Sequence, residues 1–253
     1  MRRGWKIFWI VSAGLVIVGF ICCIIAFSMG AGFNDVVDRY HSEGSSEEFS
    51  NVDELNFDVT GKLNIKTHSQ DIIRVEVIGG SSRWQVKSRQ EGGELRIETR
   101  LWFNWISTSD YGTINVYVPE GYQFNEASIS LGAGKAEIED INAGELKLEL
   151  GAGEGVLYNF ETDELTMNCG AGRVEASGVL NGDAKIEAGV GQAALDVKGS
   201  EQDFNYDVEC GIGSVRVGNN NHSGLASERK IDNGANKKID INCGVGEINV
   251  DFY

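Results

Sequence analysis

The sequence predicts an all-β protein, a parallel β-solenoid or β-helix with coils of 19 residues, preceded by one transmembrane helix. Three observations predict it. A Gly-x-Gly triplet recurs with its first glycine at 132, 151, 170, 189, 211 and 244, at intervals of 19, 19, 19, 22 and 33 residues. Self-similarity at a fixed period is the mark of a stacked array. On both sides of each triplet apolar and polar residues alternate, the period-two pattern of a strand with one buried face. Near the N-terminus, Ile7 to Met29 runs 23 residues without a charge, long enough to cross a bilayer.

The apolar run reads as a signal anchor. Arg2, Arg3 and Lys6 precede it, and Asn34, Asp35 and Asp38 follow. The positive-inside bias then leaves the N-terminus in the cytoplasm and the rest outside, a single-pass protein of the cell membrane. A cleaved signal peptide has an apolar region of about 7–15 residues, shorter than this one. Residues 1–30 are therefore the tip and anchor. Residues 31–52 are polar and acidic without an apolar period, and read as a linker.

Residues 53–253 form the extracytoplasmic solenoid on this reading. From 53 to 128 the alternation is strand-like but irregular: Leu55, Phe57 and Val59, then Ile73, Val75 and Val77, then Ile114, Val116 and Val118. These are expected to be capping coils. Trp102, Phe103 and Trp105 cluster in a break of this pattern. They are a candidate interaction patch for sugar, lipid or protein if exposed, and the apolar cap of an open solenoid end if buried.

From 129 to 253 each coil is expected to be a strand, a glycine corner, a second strand and a second turn. Asn142–Glu145 and Asn181–Asp183 carry the turn residues. Glycine at the corner reaches backbone angles closed to other residues and leaves room for the coil above and below. The residue before each triplet faces inward: Leu131, Leu150, Cys169, Ala188, Cys210 and Cys243. Cysteine in that column reads as a small buried hydrophobe; a reactive thiol or a Cys210–Cys243 bridge is the functional alternative. The 33-residue interval holds a polar insertion from Gly218 to Lys238, read as a surface loop at one edge, with a glycosylation sequon at Asn221-His222-Ser223.

The segment Val116 to Phe124, "VYVPEGYQF", followed by "ASISLGAGKAEIEDI", resembles the DUF4097 family of bacterial proteins proposed to be adhesins. The resemblance extends from Leu55 to the C-terminus. It implies a β-solenoid at the cell envelope, with many relatives anchored by an N-terminal helix. It supplies no catalytic residue to carry across.

Composition narrows the function further. The chain has 33 glycines and one proline, and a net charge of −16, so nucleic acid is not an expected partner. From Gly132 onward 22 Asp and Glu face 10 Lys and Arg, a net of −12. No glycine triplet is followed by the third glycine and helix of a dinucleotide fingerprint, or by Gly-Lys-Ser/Thr. The aspartate of a calcium-binding nonapeptide is missing too. His41, His68 and His222 are far apart, and the acid pairs Glu139-Asp140 and Asp163-Glu164 sit at turns. No catalytic residue, cofactor or metal site is expected. The leading expectation is a non-enzymatic, membrane-anchored envelope protein whose acidic surface serves adhesion or protein interaction, with an envelope protein or a glycan as partner. The alternative is an envelope-stress or signalling accessory acting through a membrane partner. A polysaccharide-degrading enzyme ranks third.

Overall fold

Inward apolar residues at every second position lay down strand after strand, and the order of those strands places the candidate site. The structure, a computed structural model, describes residues 39–41, 44–81, 84–101 and 111–253. The elements in chain order are β1 Arg39–His41, β2 Ser45–Phe49, β3 Glu54–His68, β4 Ile73–Ile78, β5 Trp84–Glu91, β6 Glu94–Leu101 and β7 Thr113–Pro119. They continue with β8 Gln123–Glu139, β9 Asn142–Leu180, β10 Ala184–Val197, β11 Phe204–Val217, β12 Asn220–Ile231 and β13 Lys237–Phe252. All belong to one sheet, so the all-β expectation holds. Among the described residues no helix is long and apolar enough to cross a membrane. The expected anchor, Ile7–Met29, lies outside the described residues.

The stack is parallel at its centre and antiparallel at its ends, so the sheet is mixed. β3, β8, β9, β10, β13 and β11 follow one another as parallel neighbours. Residue pairs 19 apart, such as Leu131 and Leu150 or Cys169 and Ala188, stand side by side. At the N-terminal end β3 divides its edge. Its first half pairs with β6 and its second with β7. From β6 the sheet continues antiparallel through β5 to β1, and from β7 antiparallel through β4 to β2. The irregular coils expected over 53–128 are therefore two antiparallel flaps around one true coil, β3. Part of the expected linker is also strand. The reason in both cases is that an antiparallel strand needs only a neighbour, not a repeat period.

One arrangement is unforeseen and two expectations are corrected. The coils are not stacked in chain order: β13, the last, lies between β10 and β11. The insertion from Gly218 to Lys238 is not a loop but contains β12, which runs antiparallel along β11 and closes that end. Asn142–Glu145 does not turn; it opens β9, and the bend falls at Asp140, which has φ 53°. Asn181–Asp183 does turn, between β9 and β10.

The two halves of each coil face one core. Leu148, Met167, Ile186, Ile241 and Val208 line one inner wall, and Leu157, Leu195, Val250 and Val217 the other, each at most 2% exposed. Trp84 closes the corner end of the β3 side. It is 4% exposed and donates its indole N–H to the Thr60 carbonyl at 2.7 Å.

Between the walls, the second glycines form a column over one another. A Cβ on Gly134 would lie 1.9 Å from the Gly61 carbonyl oxygen, on Gly153 2.0 Å from that of Gly134, and on Gly172 2.1 Å from that of Gly153. The column continues with Gly246 against Gly191 at 2.0 Å and Gly213 against Gly246 at 2.0 Å. These contacts are with backbone, so nothing can swing aside. Gly153 also has φ 128°, closed to L side chains. Gly155, two residues on, is different: its Cβ would meet only Val174 Cγ2, at 3.7 Å. Gly153→Ala is expected to destabilise the protein by about 2 kcal/mol or more. Gly155→Ala should be neutral or stabilise it by roughly 0.5 kcal/mol. Denaturant midpoints of the two variants check this, and equal losses would contradict the packing argument.

Candidate functional site

The middle residue of each triplet points away from the core, because the corner interrupts the period-two alternation: the buried positions on either side of it, such as Ala188 and Ala193, have only unburied residues between them. In spatial order these residues are Ala133, Ala152, Ala171, Val190, Val245 and Ile212, each beside the next. The first three are small. The last three are not, and they are 62%, 46% and 57% exposed. They form a short apolar ridge on the outer corner at the β12 end. Aliphatic side chains this exposed and contiguous mark an interaction surface more often than a random surface does.

Carboxylates flank the ridge. On one side runs the outward column Asp58, Ser130, Glu149, Asn168, Glu187, Asn242 and Glu209, neighbours in register along the stack. Acid alternates with hydroxyl or amide, so no two carboxylates in it are adjacent. Ser130 donates to Glu149 at 3.0 Å, one of the contacts that neutral rungs make with the acids between them. Like charges directly opposed across strands are destabilising, and this alternation avoids that. On the other side of the ridge stand Gln192, Glu247 and Ser214. At the last rung Glu209 stands opposite Glu228 of β12, and there the like charges do meet.

Beyond this column cations appear and are paired. Lys185 meets Glu187 at 2.8 Å, and Lys230 meets Asp207 at 2.9 Å. The Lys230 ammonium holds the Asp207 carboxyl below its ordinary range. Arg216 grips Asp251 through two hydrogen bonds, one at 2.6 Å, which raises the guanidinium pKa further. That fork borders a polar cleft of 560 Å³ formed by Ser200, Glu201, Asn219, Asn233 and Phe252 with their neighbours.

The residues that the sequence offers as candidates divide as follows. Trp102, Phe103 and Trp105 lie outside the described residues. His68 donates its Nε2–H to the Ile72 carbonyl, 2.6 Å away, and serves its own turn. Glu139 pairs with Lys66 at 3.5 Å, and Asp140 accepts a hydrogen bond from Asn159 at 3.1 Å. Among the described residues no group of three or more His, Cys, Asp or Glu is placed to hold a metal ion. The ridge is not among the sequence candidates, because the glycines on either side of it dominate the pattern. A signal for it exists: the middle residue changes from Ala to Val, Ile and Val in the last three triplets.

The class of protein these features define is a stacked-coil β-scaffold with its chemistry displayed outward. The chain belongs to the Toastrack DUF4097 family, whose model matches residues 52–187. Among solved structures it is similar in fold to a proposed cell adhesion protein from Clostridium sporogenes, with 19% identity, a TM-score of 0.51, and coverage of 83% of this chain and 100% of that one. A proposed adhesin from Bacteroides fragilis aligns at 11% identity and TM-score 0.34, over 83% of this chain and 98% of its own. A proposed lipid binding protein from Parabacteroides distasonis aligns at 12% identity and TM-score 0.31, over 83% and 97%. No curated protein sequence matches the chain.

The cysteine column is resolved in favour of packing. Cys169, Cys243 and Cys210 are free and buried, at most 3% exposed. Cys243 lies beside Ala188 on one side and Cys210 on the other. Burial, and then the neighbouring Cys210 thiol, push the Cys243 pKa from 9.0 up to about 11. A raised acid pKa means the folded state keeps a proton that the unfolded state releases, so stability is unaffected below pH 9 and is lost between pH 9 and 11. Two results are expected. A thiol-reactive reagent at neutral pH leaves all three unmodified until denaturant is added, and the melting temperature of wild type falls more steeply from pH 9 to 11 than that of Cys243→Ala. Rapid labelling of Cys169, Cys210 or Cys243 in the folded protein would contradict the burial.

Proposed function

We propose that the protein is a non-enzymatic scaffold anchored in the cell membrane by Ile7–Met29, with its acidic stacked coils outside the cell membrane serving adhesion or protein interaction. One observation carries this reading: outward side chains stand in register along the stack, and in the column beside the corner the charged members are all carboxylates. A parallel ladder holds such columns at about 4.8 Å per rung. It therefore presents a rigid, repeating surface at little conformational cost on binding. The net charge of −16 gives that surface a field that steers cationic partners and repels nucleic acid. Of the sequence candidates for chemistry, His68 is spent on a turn, Glu139 on an ion pair and Asp140 on a hydrogen bond, rather than converging on a nucleophile, base and orienting group. Kinship with Toastrack proteins and fold similarity to a proposed cell adhesion protein support the same reading.

Cross-linking of the full-length protein in intact cells, followed by recovery from the membrane fraction, is expected to capture a discrete envelope protein or glycan. Replacing Ile7–Met29 by an unrelated anchor should leave that capture unchanged. Loss of capture on the swap would favour the signalling accessory, in which the helix itself makes the contact. Recovery of the protein from the soluble fraction would contradict the anchored scaffold.

A further inference from the structure

We propose that the corner ridge of Val190, Val245 and Ile212 is a docking site for a cationic amphipathic polypeptide segment, one with an apolar stripe bordered by Lys or Arg. The inference rests on the scaffold reading and names the partner that this part of its surface fits. The apolar half of the case is exposure: three aliphatic side chains on adjacent rungs are about half open to solvent, while the apolar residues before and after them in the same strands are buried. At about 4.8 Å per rung, they span a strip that accepts alternate side chains of an extended segment or one face of a helix.

Charge selects the occupant. Glu187 and Glu209 border the ridge on one side and Glu247 on the other, with Asn242, Gln192 and Ser214 filling the remaining places. Neither border holds a cation on these three rungs. Glu187 is already paired with Lys185, and Glu247 accepts from Asn249 at 2.9 Å. Glu209, by contrast, stands opposite Glu228 across the β11–β12 ladder. A cation arriving there relieves a like-charge opposition already built into the edge. A second copy of this chain would set carboxylate borders against carboxylate borders. An anionic lipid surface would meet the same repulsion. An apolar stripe with basic margins satisfies both the ridge and its borders.

The test uses full-length protein in phosphatidylcholine nanodiscs, with empty nanodiscs as blank, titrated with a fluorescein-labelled peptide of alternating leucine and lysine. Saturable binding is expected, weakening as salt is raised. The variant Val190→Ser/Val245→Ser/Ile212→Ser should lose affinity by about tenfold or more. The variant Glu187→Gln/Glu209→Gln/Glu247→Gln should lose affinity and also flatten the salt dependence. Both sets lie on the outer surface, so circular dichroism and melting temperature should match wild type; if the serine variant does not fold, the glutamine variant decides alone. Wild-type affinity in either folded variant, or equal binding of a leucine–glutamate peptide, overturns the proposal. Self-association or vesicle binding that the serine variant abolishes, with no peptide bound, overturns it in favour of a second copy or lipid. If the serine variant still captures the same envelope partner on cells, this inference falls and the scaffold stands. If wild type captures none, the scaffold itself falls.

Discussion

Successive coils meet so closely at the corner that the second glycine of each triplet has no room for a side chain. Its missing Cβ is the space occupied by the carbonyl oxygen of the glycine beneath it, about 2 Å from where that atom would sit. Close-packed interiors leave no slack to absorb such an overlap. The constraint runs through Gly61, Gly134, Gly153, Gly172, Gly191, Gly246 and Gly213. It fixes the register of every coil to its neighbours, and register decides which residues face the core and which face water. The inner walls, the outward acid column and the apolar ridge all follow from it.

The same constraint explains how a chain can stack its coils out of order. Any coil with the triplet fits against any other, so β13 can lie between β10 and β11 without loss of register. Inserting it there leaves β11 on the outside, where β12 runs antiparallel along it with Gly224 opposite Gly213. An exposed parallel edge is a template for unwanted pairing. The stack manages both ends with antiparallel partners, the two flaps at β3 and the single strand β12 at β11.

Much of this is legible in the sequence. The triplets mark the corners because sterics allow almost no other residue there, and the inward columns are readable from period two. Gly61 is harder to see, because Thr60 interrupts its triplet with a bulge between Val59 and Gly61. The place of β13 is hidden because identical triplets carry no information about order. β12 reads as a loop because its residues are polar, and the role of Trp84 as a corner plug depends on contacts far apart in the chain. Of the candidate site, the acidity is visible in the sequence, whereas Val190, Val245 and Ile212 look like any other apolar residues until their exposure is known. Trp102, Phe103 and Trp105, and the run Ile7–Met29, lie outside the described residues.

Function, on this account, is a consequence of register: an ordered outer surface exists because the corners permit no slippage. The most direct measurement is disulfide trapping between outward positions on neighbouring rungs, with Cys22 and Cys23 changed to serine and Cys169, Cys210 and Cys243 protected by burial. Adjacent rungs bring Cα atoms to about 4.8 Å, within reach of a disulfide, and alternate rungs do not. Glu187→Cys paired with Asn242→Cys is predicted to close on mild oxidation, and Glu187→Cys paired with Glu209→Cys to stay open. Closure of the second pair and not the first would mean the coils stack in chain order, and the register described here would be wrong.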